Sequence, residues 1–269
     1  MKIKMIAVDM DGTFLNDKKE YNHSYFKSLF NRMQKQGLEF VVASGNQYYQ
    51  LTKFFEPIKD RITFVSQNGG NIYLNNKPFY HSKIERDVQK LTLKILQSFN
   101  CPLTIACGFQ SAYVPSNVAD QEFRTASFYF PKIKKVSSLE NLKDDVIMYS
   151  LNFPNTNLDE VISKLQAELG DKLKVVATGG NGIDLLIPKI HKASGIKMVQ
   201  QQLNISNDEV AAFGDSGNDI EMLSHAKYSF AMENGMEEVK KVASEVIGNN
   251  NEDSVLKTID RILKENEES

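Results

Sequence analysis

Ile6-Ala7-Val8-Asp9-Met10-Asp11-Gly12-Thr13 is an apolar run that stops abruptly in two carboxylates one residue apart, then a glycine and a hydroxyl. An acid buried at a strand end is costly, and a second beside it costs more unless a cation or a reaction requires both. A second cluster, Gly214-Asp215-Ser216-Gly217-Asn218-Asp219, follows another apolar run, Val210-Ala211-Ala212-Phe213. Two acid-tipped strands so far apart in sequence point to one site assembled by folding.

Working outward, residues 3–8 have the length and uniform apolarity of a strand buried on both faces of a parallel sheet. Tyr25, Phe26, Leu29, Phe30 and Met33 recur at helical spacing, and Gly37 ends that helix. Phe40-Val41-Val42-Ala43, tipped by Ser44-Gly45-Asn46, is a second strand. A helix from Gln47 to before Pro57 follows, then Ile62-Thr63-Phe64-Val65, tipped by Gln67-Asn68-Gly69-Gly70. This alternation predicts βαβ units and a doubly wound, Rossmann-like parallel sheet. The texture then changes. A hairpin over 72–81 leads into a stretch with two amphipathic helices, one carrying Val88, Leu91, Ile95 and Phe99, the other Leu158, Val161, Ile162, Leu165 and Leu169. Short strands at 103–106, 112–114, 147–153, 173–177 and 183–187 accompany them, which predicts an inserted α+β domain. The α/β rhythm returns with a helix bearing Ile196, Val199 and Leu203, the strand 210–213, a helix near 220–225, strands at 229–232 and 245–247, and a terminal helix over 254–264. The expected division is core 1–82, insert 83–188 and core 189–269.

The 269 residues are 41% apolar with a net charge of −2 and interspersed signs. That balance offers no electrostatic case for nucleic acid or a membrane surface. No apolar run approaches the ~20 residues that span a bilayer, and Met1-Lys2-Ile3-Lys4-Met5 lacks a signal-peptide pattern, so a cytoplasmic protein is expected. Cys101 and Cys107 read as small buried hydrophobes. The four histidines have no ligand-like spacing, which disfavours zinc. No apolar surface stripe can be isolated, and a monomer is expected.

Ligands of open α/β sheets bind beyond the carboxyl ends of the strands, where Asp9, Ser44, Asn68 and Asp215 all fall. Carboxylates ~4 Å apart repel by roughly 4 kcal/mol at an effective dielectric of about 20, so Asp9 and Asp215 together call for a cation or a shared proton. Hard oxygen donors without His or Cys select Mg²⁺. One aspartate of such a pair can attack phosphorus, and another can pass protons to the leaving oxygen and from water. Lys192, the Ser44 hydroxyl and nearby backbone N–H groups could hold the phosphoryl oxygens. Taken singly, Lys192 reads as a solvated lysine, Ser44 as a helix cap, and Asn218 and Asp219 as helix starters. The pattern carries the inference.

Asp9-Met10-Asp11-Gly12-Thr13, Ser44-Gly45, Lys192 and Gly214-Asp215-Ser216-Gly217-Asn218-Asp219 resemble, in order, the four motifs of the haloacid dehalogenase superfamily. The insert between the second and third motifs resembles the C2-type cap of its Cof branch. Residues 43–51, 110–114, 191–193 and 228–232 are similar to bacterial sugar phosphatases of that branch. The resemblance implies Asp9 as nucleophile and Mg²⁺ ligand, and Asp11 as general acid and base with its carbonyl on the metal. It implies Asp215 as a direct metal ligand and Asp219 as one acting through water. Ser44, Gly45, Lys192 and Asn218 would bind the phosphoryl group, with Lys192 steadying Asp9. Many relatives carry Arg where this chain has Asn46, and Gly where it has Ala193, so the specificity rules of the arginine-bearing relatives do not transfer. The expected activity is a Mg²⁺-dependent phosphatase acting on small sugar phosphates. A hexose phosphomutase is the alternative enzyme, and a non-catalytic sugar-phosphate sensor, which would be expected to have lost Asp9 or Asp11, is the alternative of another class. Specificity would rest in cap loops, with residues 178–181 and the region of Gln110 as contributors.

Overall fold

The computed structural model describes residues 2–99, 101–154, 156–178 and 181–268. Two of the cap-loop candidates, Gly179 and Gly180, lie outside them. The chain forms β1 (Met5–Val8), β2 (Glu39–Ala43), β3 (Thr63–Ser66), β4 (Asn71–Leu74) and β5 (Lys77–His81), then β6 (Leu103–Gly108), β7 (Ala112–Pro115), β8 (Ile133–Val136), β9 (Val146–Asn152), β10 (Lys174–Ala177) and β11 (Gly182–Leu186). It closes with β12 (Val210–Gly214), β13 (Tyr228–Met232) and β14 (Glu245–Ile247). Packing divides it into two compact units, one of Met1–Gly45, Phe55–Phe79 and His191–Ser269, the other of Asn46–Phe54 and Tyr80–Ile190. The segment Asn46–Phe54, which the α/β rhythm alone groups with its flanking strands, packs with the second unit.

The first unit is built on a sheet ordered β14-β13-β12-β1-β2-β3-β4-β5. Pairing is parallel from β14 through β3, and antiparallel between β3 and β4. β1 lies between β12 and β2, with Val8 opposite both Phe213 and Val42. All four β1 side chains are fully buried, which explains the unbroken apolar run of the sequence. This register also aligns the ends of β1 and β12, and so brings Asp9 beside the residues that follow Phe213. The helix His23–Lys35 buries Phe26, Leu29, Phe30 and Met33, is capped by Asn22, whose side chain accepts the Tyr25 N–H, and stops before Gly37 at φ +66°. Phe26 packs edge-on against Phe14 and Phe55, and 5.0 Å from Phe40 between ring centres.

The second unit carries a sheet ordered β10-β11-β9-β6-β7-β8, antiparallel except between β7 and β8. Its helices Arg86–Ser98 and Leu158–Leu169 pack Ile95, Leu96, Val161 and Leu165 with Tyr149, Leu151, Ile183 and Leu185. It also holds the helix Asp120–Tyr129 and the strand β8, neither of which the sequence pattern reveals. The helix buries only Ala126 fully, so its amphipathic signal in the sequence is faint. Cys101 and Cys107 are both free thiols. No helix among the described residues is long and apolar enough to cross a membrane.

Asp184, on β11 opposite Ser150 of β9, is buried in this unit. Burial pushes its carboxyl up to about 7, with a hydrogen bond from Ser150 opposing. Its folded value is above its unfolded one, so the stability of the neutral form is complete below about pH 4 and is lost as pH rises towards 7. Asp184→Asn is expected to remove that slope, gaining up to about 4 kcal/mol over wild type at pH 8 and little at pH 4. Urea midpoints at the two pH values measure it; equal gains at both would refute the assignment.

Candidate active site

Asp9 follows β1 directly, and its N–H donates to the Phe213 carbonyl of β12 at 3.0 Å. The sheet ladder thus fixes the acid's backbone. Gly12, at φ +78°, turns the chain back, and a Cβ there would stand 2.6 Å from Asp215 Oδ2. Only glycine permits both the left-handed backbone and that approach. The Thr13 hydroxyl donates to Asp215 Oδ1 at 2.7 Å, a tie between the two acidic clusters that the sequence left unassigned. Asn234 Nδ2 donates to the Gly12 carbonyl at 2.8 Å and holds the turn from outside.

Three carboxylates, Asp9, Asp215 and Asp219, converge with oxygens all within 4.8 Å of one another. Lys192 Nζ lies 2.6 Å from Asp9 Oδ1 and 2.7 Å from Asp219 Oδ1, and its side chain is 1% exposed. This corrects the solvated-lysine reading of the residue on its own. Lys192 is the first residue of the helix Lys192–Leu203, capped by His191 through a reciprocal hydrogen-bond pair with Ser194. Burial opposes a charge there, and so does the positive end of the helix dipole. Burial works to strip the Lys192 proton, but Asp219 and Asp9 outweigh it and hold the ammonium above its ordinary range.

Burial pushes the Asp9 carboxyl well above the usual carboxylate range; Lys192 opposes this, while Asp219 and Asp215 add to it. Asp215 is raised as well, first by burial and against the Thr13 hydrogen bond. Three carboxylates facing one ammonium leave two negative charges uncompensated. An all-oxygen donor set with that deficit fits a hard divalent cation such as Mg²⁺. Asp9 and Asp215 are the residues suited to hold it. Asp219 is already engaged, its Oδ1 by Lys192 and its Oδ2 by the N–H groups of Asp215 and Ser216, each at 3.1 Å.

Ser44 is buried beyond β2, its N–H donating to the Val65 carbonyl at 3.0 Å. Gly45 comes next, against the side chain of Asn68. Asn218 Nδ2 donates to Asn68 Oδ1 at 3.1 Å, which links the loop after β12 to the turn after β3. Asp11 stands apart from the carboxylate cluster. Its side chain is 46% exposed and paired with Lys19 at 2.7 Å. Gly12 turns the backbone directly after it, and Lys19, itself at φ +61°, reaches back to it. No sequence signal marked Lys19. Asn68 was marked only by its position past a strand end.

The chain matches the family described as haloacid dehalogenase-like hydrolase over residues 6–259. It is 41% identical over 264 residues to the 5-amino-6-(5-phospho-D-ribitylamino)uracil phosphatase YbjI of Escherichia coli K12, covering 98% of this chain and 97% of that one. It is 28% identical to the phosphatase YwpJ of Bacillus subtilis, over 97% of this chain and all of that protein. Among solved structures, SMU.1108c of Streptococcus mutans superposes with a TM-score of 0.89 at 31% identity, covering 98% of this chain and the whole of the other. With these similarities spanning the acid-tipped strands and the insert alike, the chain belongs to the haloacid dehalogenase-like hydrolases and is an enzyme of their phosphatase type.

Proposed function

We propose that this enzyme is a Mg²⁺-dependent phosphatase that hydrolyses small sugar phosphates through an aspartyl-phosphate on Asp9. The observation that carries the reading is the buried Asp9 carboxylate, held at 2.6 Å by Lys192 within an oxygen-only acidic cluster. Mg²⁺, once bound by Asp9 and Asp215, would supply positive charge for the phosphoryl oxygens. Lys192 fixes one oxygen of Asp9, leaving the other to attack phosphorus as the substrate's ester P–O bond breaks, and its charge steadies the Asp9 acyl phosphate as it forms. Ser44, Gly45 and Asn218 bind the phosphoryl oxygens from the loops after β2 and β12. Asp11 protonates the leaving oxygen and then takes a proton from the attacking water, which requires it to exchange Lys19 for the substrate.

The alcohol half of the substrate has a second reading, favoured by the 41% identical relative, whose named substrate carries its phosphate on a ribityl chain. Both readings share a phosphate monoester of a polyhydroxylated carbon chain. Phosphate release from hexose phosphates, pentose phosphates and the ribitylaminouracil phosphate, with Mg²⁺ and after chelation, tests them. Release only with Mg²⁺, and fastest from the sugar phosphates, is the expected result. Fastest release from the uracil compound would favour the second reading. Conversion of one hexose phosphate isomer into another without release would mean a phosphomutase.

A further inference from the structure

The turn after β3 places three consecutive buried residues at positive φ: Gln67 at +51°, Asn68 at +53° and Gly69 at +92°. Side chains rarely adopt this backbone. Asparagine tolerates it best and glutamine poorly. Such a run persists only where its surroundings hold it, and it gathers at functional sites.

Three groups assigned to the phosphoryl meet at this turn. The Asn68 N–H donates to the Ser44 carbonyl at 3.0 Å. Asn68 Oδ1 accepts from Asn218 Nδ2 at 3.1 Å. A Cβ on Gly69 would run into the carbonyl of His191, the cap of the helix that begins with Lys192. The Asn218 amide is oriented from both ends, since its Oδ1 accepts from the Ser216 hydroxyl at 2.9 Å. One hydrogen of its Nδ2 is committed to Asn68, and the second stays available to a phosphoryl oxygen. Without Asn68 only the Ser216 hydroxyl holds that amide, and because a hydroxyl accepts as readily as it donates, the amide can turn over and present its oxygen, which repels phosphate.

We infer that Asn68 is a positioning residue for phosphate, fixing the Asn218 amide with its N–H edge outward while its own backbone fastens the Ser44 loop. This rests on the proposed phosphatase reading. A purely structural role would reside in the backbone conformation, which glycine retains. Asn68→Gly keeps the left-handed turn and the N–H to Ser44, and removes the hold on Asn218 together with the side chain's packing beside Gly45, two losses that the Asn218→Ala background separates.

The test is the affinity for inorganic phosphate, by calorimetry in Mg²⁺ buffer, of wild type, Asn68→Gly, Asn218→Ala and the double variant, each checked for an unchanged melting midpoint. Asn68→Gly is expected to weaken phosphate by about tenfold in the wild-type background and less than about twofold in the Asn218→Ala background. In turnover of any accepted monoester, KM should rise more than kcat falls. Wild-type phosphate affinity in Asn68→Gly, or an equal loss in both backgrounds, overturns the inference. If wild type binds phosphate but releases none from the screened esters, the substrate reading fails and the coupling still decides this one. A wild type that binds no phosphate ends both.

Discussion

Asp9→Asn is expected to abolish phosphate release, by about 10⁴-fold or more, while leaving the fold intact, because the amide keeps the size of the side chain and loses the attacking oxyanion. The electrostatics give this prediction a second edge. Asp9 lies beside Asp215 and Asp219 with Lys192 as its partner; burial first, and then both neighbouring acids, raise its carboxyl against the pull of Lys192. Neutralising it lowers the excess negative charge from two to one. Lys192 keeps Asp219 at 2.7 Å. The melting midpoint in metal-free buffer should therefore not fall, and Mg²⁺ should raise it less than it raises wild type. Residual metal-dependent turnover near the wild-type rate would remove Asp9 from its proposed role.

Lys192→Met should damage both activity and stability. Methionine approximates the length and volume of the lysine stem, so the loss is chiefly the charge. Removing one partner of a buried ion pair costs about 3–5 kcal/mol, and here the ammonium is shared between two buried carboxylates. The acids then meet this cost partly by taking up protons. Adding Asp9→Asn to Lys192→Met should recover part of the stability and none of the activity. Urea unfolding of the two single variants and the double variant measures this. Simple additivity of the two changes would mean that Lys192 and Asp9 are not coupled, against the 2.6 Å contact.

Much of the first unit was legible along the chain. β1, β12 and, past Glu39, β2 are buried on both faces, so their sequences read as apolar runs that give way to polar residues. The helix Leu158–Leu169 was legible because Val161, Leu165 and Leu169 repeat at helical spacing against a large sheet. The helix Asp120–Tyr129 was not, because Ala126 alone is fully covered and the aromatic rings of Phe128 and Tyr129 lie exposed. The segment Asn46–Phe54 shows another limit: alternation of strand and helix gives the order of elements along the chain, and not the unit with which a given helix packs.

The sequence by itself determined the chemical parts of the site: carboxylates at strand ends, a lysine, small residues and amides, with hard oxygen donors and no histidine or cysteine among them. Those are properties of residue type and of position along a strand, which the chain states directly. Only the tertiary structure decided which carboxylates share a charge. The parallel register of β1 with β12 sets Asp9 beside Asp215 and Asp219, buries Lys192 between two of them, and leaves Asp11 outside with Lys19. Burial and proximity govern charge, and they arise from contacts whose partners lie anywhere from 8 to 202 positions apart, at spacings that periodicity does not encode.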